Sequence, residues 1–429
     1  MQRDPLAFLL EMSERYDKIA HFRAGKLPVY VVHHPDGIKH VLQEQPRRYS
    51  KDTIQYRALA TITGKGLLTS DGSFWLRQRR LAQPAFGKSR LLELDSIVVP
   101  ATEAMLARWF DAASTQRELD VDDEMMKLAL EVVGKALFGI DLSQDAPRLT
   151  HAVLSALDHI VYRARNIIVA PAFVPTPGNL RFRAALRTLD DAVYGFMRER
   201  RRTGNLGDDL LGMLLRARDE TTGEAMTDIQ IRDEILTMLI AGHETVAAAL
   251  TWSWYLLARN PDCQRRLHEE AVNVLGERVP TGADVSSLTY AGQVFSESLR
   301  LYPPAWVITR KAIESDELFG YPIVAGALVI MSPYVIHRLP SFWKDAENFL
   351  PGRFESDIES EQHRYAYIPY GAGPRMCIGN HFAEIEAKLI LAMVSRNFWL
   401  SMAPGKFPAV APLVTLRPVG GLRMSVKQY

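Results

Sequence analysis

Cys377 lies in the run Tyr370-Gly371-Ala372-Gly373-Pro374-Arg375-Met376-Cys377-Ile378-Gly379. A glycine-rich loop of this kind delivers one cysteine to the start of a helix, where backbone N–H groups and the helix dipole stabilise a thiolate. Gly373 and Gly379 leave room for a flat ligand to approach the backbone. Arg375, two residues before the sulfur, can reach an anionic group on that ligand. A buried, small apolar cysteine is the bland alternative. It does not account for glycine, arginine, cysteine and glycine at this spacing.

A second constellation is Ala241-Gly242-His243-Glu244-Thr245. Gly242 removes a side chain where a ligand could sit. The Thr245 hydroxyl can take a helix carbonyl and locally open the hydrogen-bond ladder. Glu244 beside it can relay protons from water, so the two form an acid–alcohol pair. His243-Glu244 begins like a zinc motif, but Ala247 stands where the second histidine would be needed. A third constellation, Glu297-x-x-Arg300, places both charges on one helix face. With Arg353 of Phe349-Leu350-Pro351-Gly352-Arg353-Phe354 it predicts a buried structural triad.

The elements that must carry these groups are mostly helical. Thr227 with Gln230 reads as a capping box that opens a helix to Arg259. After His243 this helix is apolar nearly all round, which predicts a buried beam crossing the fold. Residues 27–37 read as a strand ending in a turn, and 328–336 as β-like. Another helix is expected near Ile378. Asn166 to Gly178 holds three prolines and cannot be a regular helix; it reads equally as a mobile lid over an apolar cavity or a packed surface loop.

The 429 residues carry 51 Lys plus Arg against 50 Asp plus Glu, a formal charge of +1. No global field favours nucleic acid. Cys263 and Cys377 are the two cysteines, too few for a disulfide framework. The N-terminal apolar run is broken by Glu11, Glu14 and Arg15, which predicts no transmembrane anchor and a soluble, cytoplasmic protein.

Together the three motifs, in order and spacing, resemble the cytochrome P450 family over nearly the whole chain. The resemblance implies a mainly α fold as one domain over 1–429, with small β-sheets near the N-terminus and around the substrate pocket. It implies a haem-thiolate monooxygenase holding haem b through Cys377. Trp75, Arg79, Arg310 and Arg375 would serve the propionates, with Tyr370, Gly371 and Gly379 against the macrocycle. Gly242, Glu244 and Thr245 would face bound oxygen. Leu67, Leu68, Ile240, Ala241, Trp306, Val307, Val414 and Thr415 would line the substrate pocket. Tyr370 replaces the family's usual Phe, which implies a phenol able to hydrogen-bond the thiolate.

Segments 55–69, 241–254, 297–310 and 414–422 resemble the thermophilic bacterial β-carotene hydroxylase branch, while 160–185 departs from it. This implies carotenoid hydroxylation first and fatty-acid or terpenoid hydroxylation second. A haem binder or gas sensor without turnover is the reading from another class. The expected partners are ferredoxin and its reductase, docking on Arg77, Arg80, Lys88 and Arg90, or on none of them if these are ordinary solvated charges. A monomer is expected, and Cys263 has no role.

Overall fold

The computed structural model describes residues 4–166, 169–218, 223–355, 363–403, 405 and 407–429. The helices that position the site are α1 (Gly72–Ala82), α2 (Val121–Phe138), α3 (Ala146–Arg165), α4 (Pro177–Thr203), α5 (Asp228–Arg259), α6 (Thr289–Leu301) and α7 (Asn380–Asn397). As the sequence predicts, Thr227 caps α5 with a complete capping box to Gln230. The apolar half of α5 is buried, and α2 packs along it. α5 is the one described helix long and apolar enough to cross a membrane, and 83% of its most apolar window lies inside the protein. Its hydropathy is therefore that of a core helix.

A five-stranded sheet combines β1 (Ile19–Ala24), β2 (Leu27–Val32), β3 (Tyr49–Ser50), β4 (Ile308–Ala312) and β5 (Leu328–Met331) in the order β1-β2-β5-β4-β3. β2 runs parallel to β5, with Val29 opposite Leu328. The sheet thus joins the N-terminal segment to the chain after α6. A hairpin of β6 (Val410–Pro412) and β7 (Leu416–Pro418) returns late in the chain to α5. There the Trp252 indole donates to the Leu416 carbonyl at 3.0 Å.

Two β readings are shortened. The strand from Leu27 stops at Val32, and His34 then caps a short helix at Pro35–Lys39. Likewise Leu328–Met331 is a strand, but Ser332 caps a helix at Pro333–Ile336. In both, proline occupies the first helical turn, where its missing N–H costs nothing. α7 starts at Asn380, two residues after the expected point. The proline-rich run is irregular where described and turns into α4 at Pro177; positions 167 and 168 of the expected lid lie outside the described residues. Asn179 ties the run down by donating to the carbonyls of Pro171 and Val174.

Candidate active site

Cys377 sits at the floor of an interior cavity of ≈ 330 Å³ whose opposite wall is α5. The loop before it is closed by backbone bonds from Gly371 N to Ile368 O, 3.0 Å, and from Cys377 N to Tyr370 O, 2.9 Å. Gly371 and Gly373 both have φ +71°, a region that favours glycine. A Cβ on Gly373 would meet the Leu42 carbonyl oxygen at 1.9 Å. Gly373 is therefore required by protein packing, which corrects its expected role as space for a ligand. Gly379 does line the cavity.

Burial pushes the Cys377 thiol up, while a hydrogen bond from the Gly379 backbone and the charge of Arg79 pull it down. Protein encloses the residue, yet its surface is exposed into the cavity. The Tyr370 hydroxyl is buried without a hydrogen-bond partner. The expected phenol–sulfur hydrogen bond is therefore not made.

Arg375, Arg310 and Lys51 converge on one side of this cavity. Arg375 donates to the Ser70 carbonyl at 3.0 Å, pairs with Asp71, and lies 4.2 Å over the Trp75 ring. Trp75 thus supports Arg375 from behind instead of lining the cavity. Arg79 is also set back, donating to the Met376 carbonyl at 3.0 Å. The Lys51 ammonium donates to the Leu68 carbonyl at 2.9 Å. Burial, with Arg310 and Arg375 adding, holds it well below the ordinary lysine range. Lys51 carries no signal in the sequence, because a lone lysine after a short strand reads as surface.

On the far wall, Thr245 Oγ donates to the Ala241 carbonyl at 2.6 Å. α5 stays helical throughout, so the expected opening of the ladder is not seen. A Cβ on Gly242 would meet Val133 Cγ2 at 3.0 Å. Its missing side chain therefore eases the approach of α2, and Gly242 also lines the cavity. Glu244 is buried and accepts a hydrogen bond from Thr415 Oγ at 2.9 Å. Burial raises its carboxyl to about 7, with Arg417 and the Thr415 bond acting against the rise.

Leu68, Ile240, Ala241, Val307, Val414 and Thr415 line the cavity as predicted. Leu67 and Trp306 do not: Leu67 is packed in the core, and the Trp306 indole donates to the Leu413 carbonyl at 3.0 Å. Phe86, Phe295, Leu299 and Phe382 complete the wall. Sequence spacing could not reveal them, since each reads as ordinary core. The expected triad forms away from the cavity. Arg353 reaches Glu297 at 3.3 Å, and Arg300 also donates to the carbonyls of His337, Ala346 and Asn348. Among the described residues no three His, Cys, Asp or Glu side chains lie together so as to hold a metal ion.

A profile described as Cytochrome P450 matches residues 1–418. The chain belongs to the cytochrome P450 family. It is 37% identical to cyclooctatin synthase of Streptomyces melanosporofaciens, covering 99% of this chain and 91% of that protein. It is 33% identical to pentalenene oxygenase of Streptomyces avermitilis, over 94% and 88%. It is 32% identical to the protein LUTEIN DEFICIENT 5, chloroplastic, of Arabidopsis thaliana, over 97% and 73%. The protein is thus a P450 monooxygenase, a haem-thiolate oxidoreductase that takes electrons from redox partners and binds apolar substrates. A haem binder without turnover is set aside.

The residues of this P450 fit a haem. One sulfur faces a largely apolar cavity, and Arg375 and Arg310 together outweigh Asp71 in charge at its edge. That surplus suits the two carboxylates of the macrocycle.

Proposed function

We propose that this P450 hydroxylates a compact, apolar terpenoid, and that haem b is held by Cys377 with its propionates toward Arg375, Arg310 and Lys51. When bound, a haem iron held by the Cys377 thiolate would supply the oxygen chemistry. The chain's own residues do the rest. Apolar side chains around α5, β4 and Val414 exclude water and hold a hydrocarbon by contact, each buried methylene contributing about 0.8 kcal/mol. Thr245 presents a hydroxyl on the distal wall, and Glu244 next to it holds a proton near neutral pH. These two form the proton-handling pair.

The observation that carries this reading is the apolar cavity set between Cys377 and Thr245. The named relatives point the same way, since cyclooctatin synthase and pentalenene oxygenase share more identity with this chain than LUTEIN DEFICIENT 5 does. Terpenoids therefore move ahead of carotenoids, which were favoured on sequence. Carotenoid end-group hydroxylation is second and fatty acids third.

In the same reading the enzyme is a soluble, cytoplasmic monomer that takes electrons from a ferredoxin and its reductase. Titrating the purified enzyme with a cyclic terpene hydrocarbon, a cyclic terpene alcohol, β-carotene and a fatty acid tests it. A low-to-high-spin shift is expected at the lowest concentration for the terpenes. Tightest binding of β-carotene or fatty acid would overturn the assignment.

A further inference from the structure

Behind the distal wall, an otherwise apolar core holds a small polar cluster. Glu244 of α5 accepts from Thr415, the residue just before β7. Two residues on, Arg417 of β7 donates to Asp122 at 2.5 Å, in the first turn of α2. Asp122 also accepts from Thr251 of α5 at 3.3 Å. Glu244, Thr415, Arg417 and Asp122 are all buried. Thr415 reaches α5 at Glu244, while Arg417 reaches α2 at Asp122.

Thr415 and its neighbour Val414 also line the substrate cavity. One segment therefore touches both the substrate space and the acid. Resting on the reading of Glu244 as a proton carrier, we propose that β7 and its approach are the positioning element for that acid: Thr415 orients the carboxyl, and Arg417, anchored on Asp122, supplies the charge against which it gains and loses its proton.

Charged groups act on Glu244 from three neighbouring elements. Arg417 faces it from β7, Asp122 from α2 and Asp158 from α3. On its own helix, His243 is fully buried and kept neutral, its pKa pushed down to about 3 by burial and then by Arg417. Arg417 and the Thr415 bond favour the Glu244 carboxylate; Asp122 and Asp158 oppose it. Asp158 also lines a cleft between α3 and α4. The balance explains how a buried glutamate can titrate near neutrality: full burial alone would keep it protonated, and an unopposed arginine would keep it ionised.

The assignment has a signature that a merely structural role lacks, namely opposite signs. In the holoenzyme, the protonated-carboxyl stretch of Glu244 can be followed by infrared titration and identified by its loss in Glu244→Gln. Arg417→Gln should move its midpoint upward by about 1 pH unit, and Asp122→Asn should move it downward by a similar amount. Thr415→Val should move it upward, with Thr415→Ser restoring it. The pH profile of product formed per NADPH should shift in the same directions.

Should Arg417→Gln fail to accumulate, Asp122→Asn decides alone, since asparagine keeps an isosteric partner for the arginine. Shifts of one sign for both charges, or none, would overturn the assignment. If Glu244→Gln leaves product per NADPH unchanged, the proton-carrier reading fails as well. If it uncouples while the charge variants leave the midpoint fixed, only the role of β7 is lost.

Discussion

Arg300 grips both carboxylate oxygens of Glu297, at 2.7 and 2.8 Å, and neither side chain reaches solvent. Every donor of that guanidinium then ends on Glu297 or on a carbonyl of the chain between His337 and Asn348. The pair stitches α6 to the segment that leads to the Cys377 loop. Removing one partner of a buried pair strands the other charge. Arg300→Ala should therefore cost about 3–5 kcal/mol in urea denaturation. A loss no larger than that of an exposed pair such as Arg202–Glu199 would contradict this role.

His337 links that triad to the sulfur loop and should set part of the acid sensitivity. Its Nδ1 lies 3.2 Å from the Arg300 carbonyl, and its Nε2 accepts from Ile368 N at 2.9 Å. That pattern requires the neutral ring. Burial and Arg300 push its pKa down to about 3, from an ordinary 6.5. The unfolded chain thus binds a proton that the folded chain refuses, and stability is lost as pH falls below 6.5 toward 3. Between pH 6.5 and 5 this amounts to about 2 kcal/mol. His337→Asn should flatten the acid limb by that amount when urea midpoints are compared across pH. Parallel limbs in the two proteins would exclude His337 as the source.

The sulfur assignment has a spectroscopic test with an internal control. Cys377→Ser should abolish the red-shifted Soret band of the reduced carbon monoxide complex. Cys263→Ser should keep it, because Cys263 lies on another helix and does not line the cavity. Persistence of the band in the first variant would remove the ligand.

Of the four basic residues that could meet a ferredoxin, two remain available for docking. Arg90 is committed to the Asp208 carbonyl, and Arg77 is half-buried, whereas Arg80 and Lys88 are exposed. α1, which carries Arg80, abuts the sulfur loop through Arg79 and Met376. Arg80→Glu with Lys88→Glu should raise the apparent constant for a ferredoxin several-fold, more so at low salt. An unchanged constant would leave these as ordinary solvated charges.

The chemistry-bearing groups were legible because each sits in a local motif: a loop that must turn, a helix that must cap, a charge pair at i,i+3. What spacing cannot show is what a residue faces across the fold. Gly373 was read as space for a ligand, yet the Leu42 backbone fills that space, since loop packing also demands glycine. Trp75 was read as a direct contact and instead lies behind Arg375. Lys51 and Arg417 were missed as site residues because long cations usually stay wet; only the tertiary structure buries them. Strands that end at a serine or histidine before proline were overextended, because the local cap outweighs the apolar run that follows.

The last test concerns Thr245 itself. Its hydroxyl now donates to the Ala241 carbonyl at 2.6 Å, so it can turn toward the cavity only by releasing a helix group that has other ways to be satisfied. A serine keeps the hydroxyl and an alanine deletes it, and both remove one methyl from the cavity wall. Thr245→Ala should leave substrate affinity within about 4-fold, since a buried methyl-sized group contributes about 0.8 kcal/mol. Electron use should continue while product per NADPH falls and peroxide rises, and Thr245→Ser should restore most of the yield. If alanine kept the full yield, the hydroxyl would have no part in proton handling, and Glu244 would have to act through another group on the same wall.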